Sequence, residues 1–342
     1  MSQSNPQKRI AALALARLRL RKAPRVVLSD YAAMLLKHAE SPEREDLVRM
    51  ISLDPLMAVW ILKRANSSYY GLRSTVDSLS RAFDVLEEGA IAGMFADTFG
   101  AKEASQGELP SDSPDSLTQH SVATAILSAQ LECGDSSDRG PAFTAGLLHD
   151  IGKHVFSLNF PDEANKMYCS STLWESLQGN DLVSVEQLAF GMDHREVGEF
   201  VARKMQFPEI LTEVLRTHAD PSVLSSNHEA YRLAWIVNTA SLAATALGYV
   251  AGEPVSWEYC ESDSRWSKLI TEELVSWRST SALLDELRSK KETIEEFLDF
   301  EVNRSKTLMK PDSQTNRMNR GPVQSLRKLD RTPGKQGERQ ES

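Results

Sequence analysis

Apolar residues recur along this chain at spacings of three and four, and no sustained alternation of apolar and polar positions stands out, so the pattern predicts helices and no sheet. From Lys8 to Lys22 a mixture of Ala, Leu and Arg predicts a basic amphipathic helix that Pro24 closes. A second helix is expected over Val26–His38, and the Ser-Pro-Glu start at Ser41–Glu43 opens a third that reaches Ile51. Asp54 and Pro55 read as a cap followed by a first helical residue. The helix they start, Pro55–Ala65, is apolar nearly all round, which places it in the core. It stops at Asn66-Ser67-Ser68, with Gly71 ending the turn, and short helices are expected over 74–99.

The segment Gly100–Ser116, rich in Ser, Asp, Gly and Pro, reads as a surface loop between two parts of the structure. Pro114 then opens a helix to Glu132, on which Leu117, His120, Thr124, Leu127 and Leu131 share a face, so His120 points inward. One helix is expected over 143–158. Two capping boxes follow, Ser184 with Gln187 and Asp193 with Glu196, the second starting a helix that carries His194 in its first turn. Pro208 starts another, where His218 shares a face with Leu211, Val214 and Leu215. Leu233–Leu247 reads as a buried helix with Ser241 on its inward side, and 256–302 as an aromatic and charged helical ending. The expected architecture is therefore all-α. A basic N-terminal helix (1–23) precedes a domain over 24–302, made of an N-terminal helical part (24–99), a loop (100–116) and a second helical part (117–302). A basic tail without periodicity (303–342) is expected to be disordered.

Composition adds exclusions. The 342 residues are 41% hydrophobic, as in a soluble globular protein. Cys133, Cys169 and Cys260 lie far apart with no CxxC pair, which argues against a thiolate zinc site or a disulfide framework and for a reducing cytoplasm. The least polar run, Leu233–Ala251, is interrupted by Asn238, Thr239 and Ser241, and reads as a buried helix rather than a membrane span. The net charge of -9 divides into +7 over residues 1–25, +6 over 303–342 and -22 between them. An acidic body repels phosphate and makes a nucleic-acid platform a poor fit, while the basic ends could dock on an anionic surface.

The chemistry concentrates in FTAGLLHDIGKH, Phe143–His154. Burying His149 beside Asp150 costs several kcal/mol unless each finds a hydrogen-bond partner, a counter-charge or a metal. His120, His194 and His218 stand inward or at the starts of other helices, so the five residues could converge on a divalent ion, Mn, Fe or Zn or, less well, Mg. Lys153 would then hold a phosphate near the ion. The same residues also fit core histidines bonded to backbone carbonyls with no metal at all, and composition does not separate the two.

Two blocks bring in a resemblance. The first is DPLMAVWILKRANSSYYGL, Asp54–Leu72; the second combines His120, LLHDIGK at Leu147–Lys153, FGMDHREVG at Phe190–Gly198 and the helix ending in His218. Over Pro24–Gly248 the chain resembles HDOD proteins, non-standard relatives of HD-domain phosphohydrolases and HD-GYP phosphodiesterases. The resemblance implies an HD-like helical fold and a role in bacterial signal transduction. There are departures from the catalytic relatives. No Gly-Tyr-Pro follows His218, which precedes Ala219, and the Leu-Gly usual in the HDOD family itself after the N-terminal block is altered to Leu86-Glu87. Ser241 stands where the last metal-binding aspartate of catalytic HD proteins is expected, and a hydroxyl is a far poorer hard-metal ligand than a carboxylate. The expectation is a regulatory module without turnover that binds a signalling protein or a nucleotide. A metal-dependent phosphohydrolase acting on a phosphoester is the alternative, and docking through the basic ends the third reading.

Overall fold

A computed structural model of the chain describes residues 48, 51–87, 89–91, 93, 116–135, 140–169 and 181–308. The expected helices over 8–22 and 26–38, the third apart from Val48 and Ile51, the 100–116 loop apart from Ser116, and the tail from residue 309 lie outside the described residues. Among the described residues there are thirteen α-helices and no strand.

Helix α1 (Pro55–Ala65) forms as its sequence dictates: Pro55 is its first residue, and Asp54 Oδ1 accepts the N–H groups of Leu56 at 2.8 Å and Met57 at 3.1 Å. After it, Asn66 acts as a clasp. Its Nδ2 donates to Val76 O at 2.9 Å and its Oδ1 accepts Val76 N–H at 2.7 Å, so the loop through the left-handed Gly71 is closed by one side chain that imitates a strand pair. Helix α2 (Leu79–Val85) is then tied down by Leu79 N–H, which donates to Thr144 Oγ1 at 2.9 Å.

The centre of the fold is made by α3 (Ser116–Cys133), α4 (Pro141–Leu148) and α10 (Tyr231–Ala246), each buried on nearly all sides, and α3 packs on both others. Small residues allow this. A Cβ on Gly146 of α4 would stand 2.8 Å from Ala125 Cα and 2.9 Å from Thr124 O, so only glycine lets α4 approach α3 this closely. Helix α1 seats on α4 and on α5 (Ile151–Asn159), which α6 (Pro161–Cys169) also contacts. On the other side α7 (Leu182–Phe190), α8 (His194–Lys204) and α9 (Glu209–Thr217) follow, with α8 packed between α5 and α9. Helices α11 (Trp257–Ser262) and α12 (Ser264–Thr271) cover α10, and α13 (Thr280–Leu308) lays Leu283, Leu287, Ile294 and Leu298 inward, packing on α3 and α12.

Three expectations are corrected. The single helix over 143–158 is two, because Gly140 and Pro141 start α4 and the chain bends at His149-Asp150 before α5. The Ser184–Gln187 capping box is absent: Asp181 caps α7, accepting Ser184 N–H at 2.9 Å, while Gln187 Nε2 donates to Asp193 Oδ2. The last helix continues to Leu308, past the boundary expected at 303, since no Gly or Pro interrupts 303–308.

Gly152 in the first turn of α5 meets the start of α8 so closely that a Cβ there would stand 1.9 Å from His194 O, whereas one on Gly198 meets nothing nearer than 3.6 Å. Gly152→Ala is expected to lower stability by about 1–3 kcal/mol or more. Gly198→Ala, a helical site with room, is expected to be neutral or stabilising by up to about 1 kcal/mol. Urea unfolding of the two variants checks this; equal behaviour would contradict the packing described.

Candidate metal centre

Asp150 lies at the bend between α4 and α5, with φ -98° and ψ 19°, and is 1% exposed. Adjacent residues on an unbroken helix point about 100° apart. The bend is what allows His149 and Asp150 both to face the interior. Around Asp150 Oδ2 stand Lys153 Nζ at 2.7 Å, His149 Nε2 at 3.2 Å and His120 Nε2 at 3.6 Å. Around Oδ1 stand His218 Nε2 at 3.5 Å and His194 Nε2 at 3.7 Å. All five expected residues are thus brought together, as two trios that share Asp150: His120 and His149 on one side, His194 and His218 on the other.

Each imidazole is fixed from behind. His149 ends α4 and places Nδ1 2.7 Å from Gly146 O; His218 ends α9 and places Nδ1 3.1 Å from Leu215 O. Both rings thereby satisfy carbonyls that a helix C-terminus leaves without intrahelical partners. His120 Nδ1 is 2.7 Å from Tyr249 O, just beyond α10. His194, placed as the first residue of α8 by the Asp193–Glu196 capping box, has Nδ1 2.6 Å from Glu186 Oε2. A carbonyl or a carboxylate oxygen can only accept, so each Nδ1 carries a proton, and the Nε2 of each ring, the atom left to ligate, faces Asp150. The backbone-bonded histidine and the metal-binding histidine are therefore the same arrangement seen from its two ends.

Those Nε2 atoms fit a cation. His149 Nε2 and Asp150 Oδ1 are buried without a hydrogen-bond partner, and His194 Nε2 lies 3.2 Å from His218 Nε2, two ring nitrogens face to face. Ligands about 2.0–2.2 Å from an ion stand about 3.0–3.6 Å from one another, the spacing found here. Burial pushes His120 down to about 3 and His218 down to about 4, against an ordinary value of 6.5, which keeps both rings neutral and able to ligate. Burial by itself raises the Asp150 carboxyl, but His149 and Lys153 beside it hold it well below the usual carboxylate range. The nitrogen-rich donor set, without sulfur, suits Mn, Fe or Zn better than Mg.

Ser241 on α10 reaches the site, with Oγ 3.2 Å from His120 Nε2. Lys153 Nζ is occupied, donating to Asp150 Oδ2 at 2.7 Å and to Ala251 O at 3.0 Å, while it also borders a cleft of about 440 Å³ that opens onto Asp150, His194 and His218. Sequence reasoning missed Glu186, fully buried on α7. Its Oε2 accepts both the N–H and the Nδ1–H of His194, at 2.8 and 2.6 Å, and its Oε1 accepts the Tyr168 hydroxyl at 2.7 Å. Its one signal was a lone acidic residue inside the apolar run Leu182–Phe190. Carboxylates that hold a ligating histidine this way raise its basicity, and their loss costs about 10–100-fold in metal affinity. Glu186→Gln is expected to weaken Co²⁺ binding by that factor with unchanged helix content, read by visible absorption and circular dichroism; unaltered affinity would contradict the role given to Glu186.

The comparisons with known proteins can now be set beside this geometry. The HDOD domain model matches residues 24–221, more than half of the chain. An uncharacterized protein of Treponema pallidum (strain Nichols) is 22% identical over 218 residues, covering 63% of this chain, which spans 40% of that relative's length. Two solved structures share the fold. The MmoQ response regulator of Methylococcus capsulatus (strain Bath) has a TM-score of 0.52 at 21% identity, covering 74% of this chain and 94% of its own. A virulence factor of Campylobacter jejuni has a TM-score of 0.54 at 18% identity, covering 78% and 91%. No helix among the described residues is long and apolar enough to cross a membrane. The match of the HDOD model, with the helical fold of these neighbours, assigns this chain to the HDOD domain family.

Proposed function

We propose that this chain is a regulatory module of bacterial signal transduction whose core is organised by a divalent ion held at Asp150, without catalytic turnover, acting on a signalling protein or through a nucleotide. The observation that carries the reading is Ser241. The catalytic relatives that the sequence resembles place a carboxylate there, whereas here a hydroxyl satisfies His120 Nε2. The trio His120, His149 and Asp150 then lacks the second negative charge that a hard divalent ion would need beside them. His194, His218 and Asp150, with Glu186 behind, remain the stronger half of the set. In a hydrolase of this type a bound ion polarises a phosphoryl oxygen. In this chain the surrounding residues do something narrower: they orient four imidazoles, keep Asp150 ionised through Lys153, and tie together helices distant in sequence. That MmoQ is a response regulator accords with a signalling role.

The alternative, a metal-dependent phosphohydrolase, is favoured by one observation, the cleft that Asp150, His194 and His218 line at its buried end. Turnover of bis(p-nitrophenyl) phosphate and p-nitrophenyl phosphate, with Mn²⁺, Fe²⁺, Zn²⁺ or Mg²⁺, separates the readings. The regulatory reading expects none above the metal-only rate; metal-dependent turnover that disappears in His149→Ala and Asp150→Ala would overturn it.

A further inference from the structure

Two helices bordering the cleft begin with the same device. Asp193 caps α8 and Asp263 caps α12, and two residues beyond each cap stands an arginine, Arg195 and Arg265. In both cases Oδ1 of the aspartate accepts the arginine's backbone N–H at 2.9 Å. It also accepts Nε, at 3.2 Å for Arg195 and 2.8 Å for Arg265, while Oδ2 accepts Nη2 at 3.1 and 2.8 Å. One edge of each guanidinium is therefore used to fix its plane, and the Nη1 corner is left to face other groups. Arg265 Nη1 donates to Asn238 Oδ1 at 3.1 Å, and Asn238 Nδ2 in turn holds His218 O at 2.7 Å. The two arginines, each 26% exposed at the side chain, line one cleft whose floor holds Asp150, His194 and His218 and whose wall includes Leu182, Val183 and Leu242.

We propose that this cleft is a binding site for a phosphate ester of mononucleotide size, gripped by Arg195 and Arg265, and that it fills only when the metal centre is loaded. The proposal rests on the metal reading above. The aspartates occupy the Nε–Nη2 edge of each guanidinium and fix its plane, so what the two arginines offer a phosphate oxygen is the remaining Nη protons, held in a set direction as charge-assisted donors. Two arginines and an ion approach from different elements, which suits the three peripheral oxygens of a tetrahedral dianion better than the two coplanar oxygens of a carboxylate. The volume of about 440 Å³ lies in the range of small-molecule sites, and the leucine and valine wall offers an apolar surface to the organic part of the ester. The metal requirement follows from charge. Around the cleft Asp150, Asp181, Asp193, Asp263 and Glu186 outnumber Lys153, Arg195 and Arg265, so the metal-free cleft opposes an anion, and a divalent ion at its floor removes that opposition.

Equilibrium dialysis of AMP, GMP, CMP, UMP and inorganic phosphate against the full chain tests this, in Mn²⁺ and in EDTA, with Mn²⁺ affinity followed separately by paramagnetic resonance. At least one nucleotide is expected to bind the Mn²⁺-loaded protein more tightly than inorganic phosphate, and not to bind in EDTA. Arg195→Ala and Arg265→Ala should each weaken it about tenfold or more. Arg195→Lys and Arg265→Lys, which keep the charge and lose the fork, should fall between, and all four variants should lose far less in Mn²⁺ affinity than in nucleotide affinity. Nucleotide binding unchanged in either alanine variant, equal binding in EDTA, or no binding of any of the four nucleotides to the Mn²⁺-loaded chain overturns the proposal alone. Failure of Mn²⁺, Fe²⁺ and Zn²⁺ alike to bind overturns both it and the metal reading.

Discussion

Four imidazoles held from behind by acceptors, with their Nε2 atoms directed at one buried carboxylate, are the constraint on which the rest of this structure depends. An unpaired carboxylate in a protein interior is expensive. Lys153 offsets part of this by donating directly to Asp150. Under the proposed function a divalent cation would satisfy the rest of the arrangement, with the Nε2 atoms as its ligands. The account therefore treats metal binding and core organisation as one event, as in other proteins whose ligands are assembled by folding.

What places the ligands is the geometry of helix ends. His149 and His218 each close a helix and return a ring nitrogen to one of its last carbonyls, His194 opens a helix behind a capping box, and Asp150 occupies the bend between α4 and α5. For these ends to meet, α4 must approach α3 and α5 must approach α8 more closely than side chains allow, which is where Gly146 and Gly152 stand. A centre built this way joins elements from residue 120 to residue 218, and Asn238 and Arg265 extend it to α12 on the far side of the cleft. Under the proposed function, a change at the ion would be mechanically connected to the cleft rim through these hydrogen bonds, which suits the regulatory role proposed.

Much of this was legible in the residues. The Asp54-Pro55 start, the Asp193–Glu196 capping box and the burial of His120 follow from local rules that tertiary structure had no reason to override, and the five residues that the fold brings together were nameable because His and Asp on apolar faces need partners. The bend at His149-Asp150 was not legible, because FTAGLLHDIGKH carries an unbroken helical pattern and contains no proline; the bend exists to turn two neighbouring side chains inward, a tertiary requirement. Glu186, Tyr168 and Ala251 were missed for a related reason. They act at long sequence separation through hydrogen bonds, which leave no periodic trace. The paired Asp-x-Arg starts at 193–195 and 263–265 are visible as text, but only the fold shows that both face one cleft.

The central claim, that the Asp150 cluster is a metal site on which the fold leans, is tested most directly by elemental analysis of the chain purified without chelating tags or buffers, followed by thermal melting before and after removal of the ion. The account predicts at least one Mn, Fe or Zn per chain and a melting temperature that falls on stripping and is restored by adding the ion back. A well-folded protein that contains no metal, and whose melting temperature does not respond to any of the three ions, would contradict it.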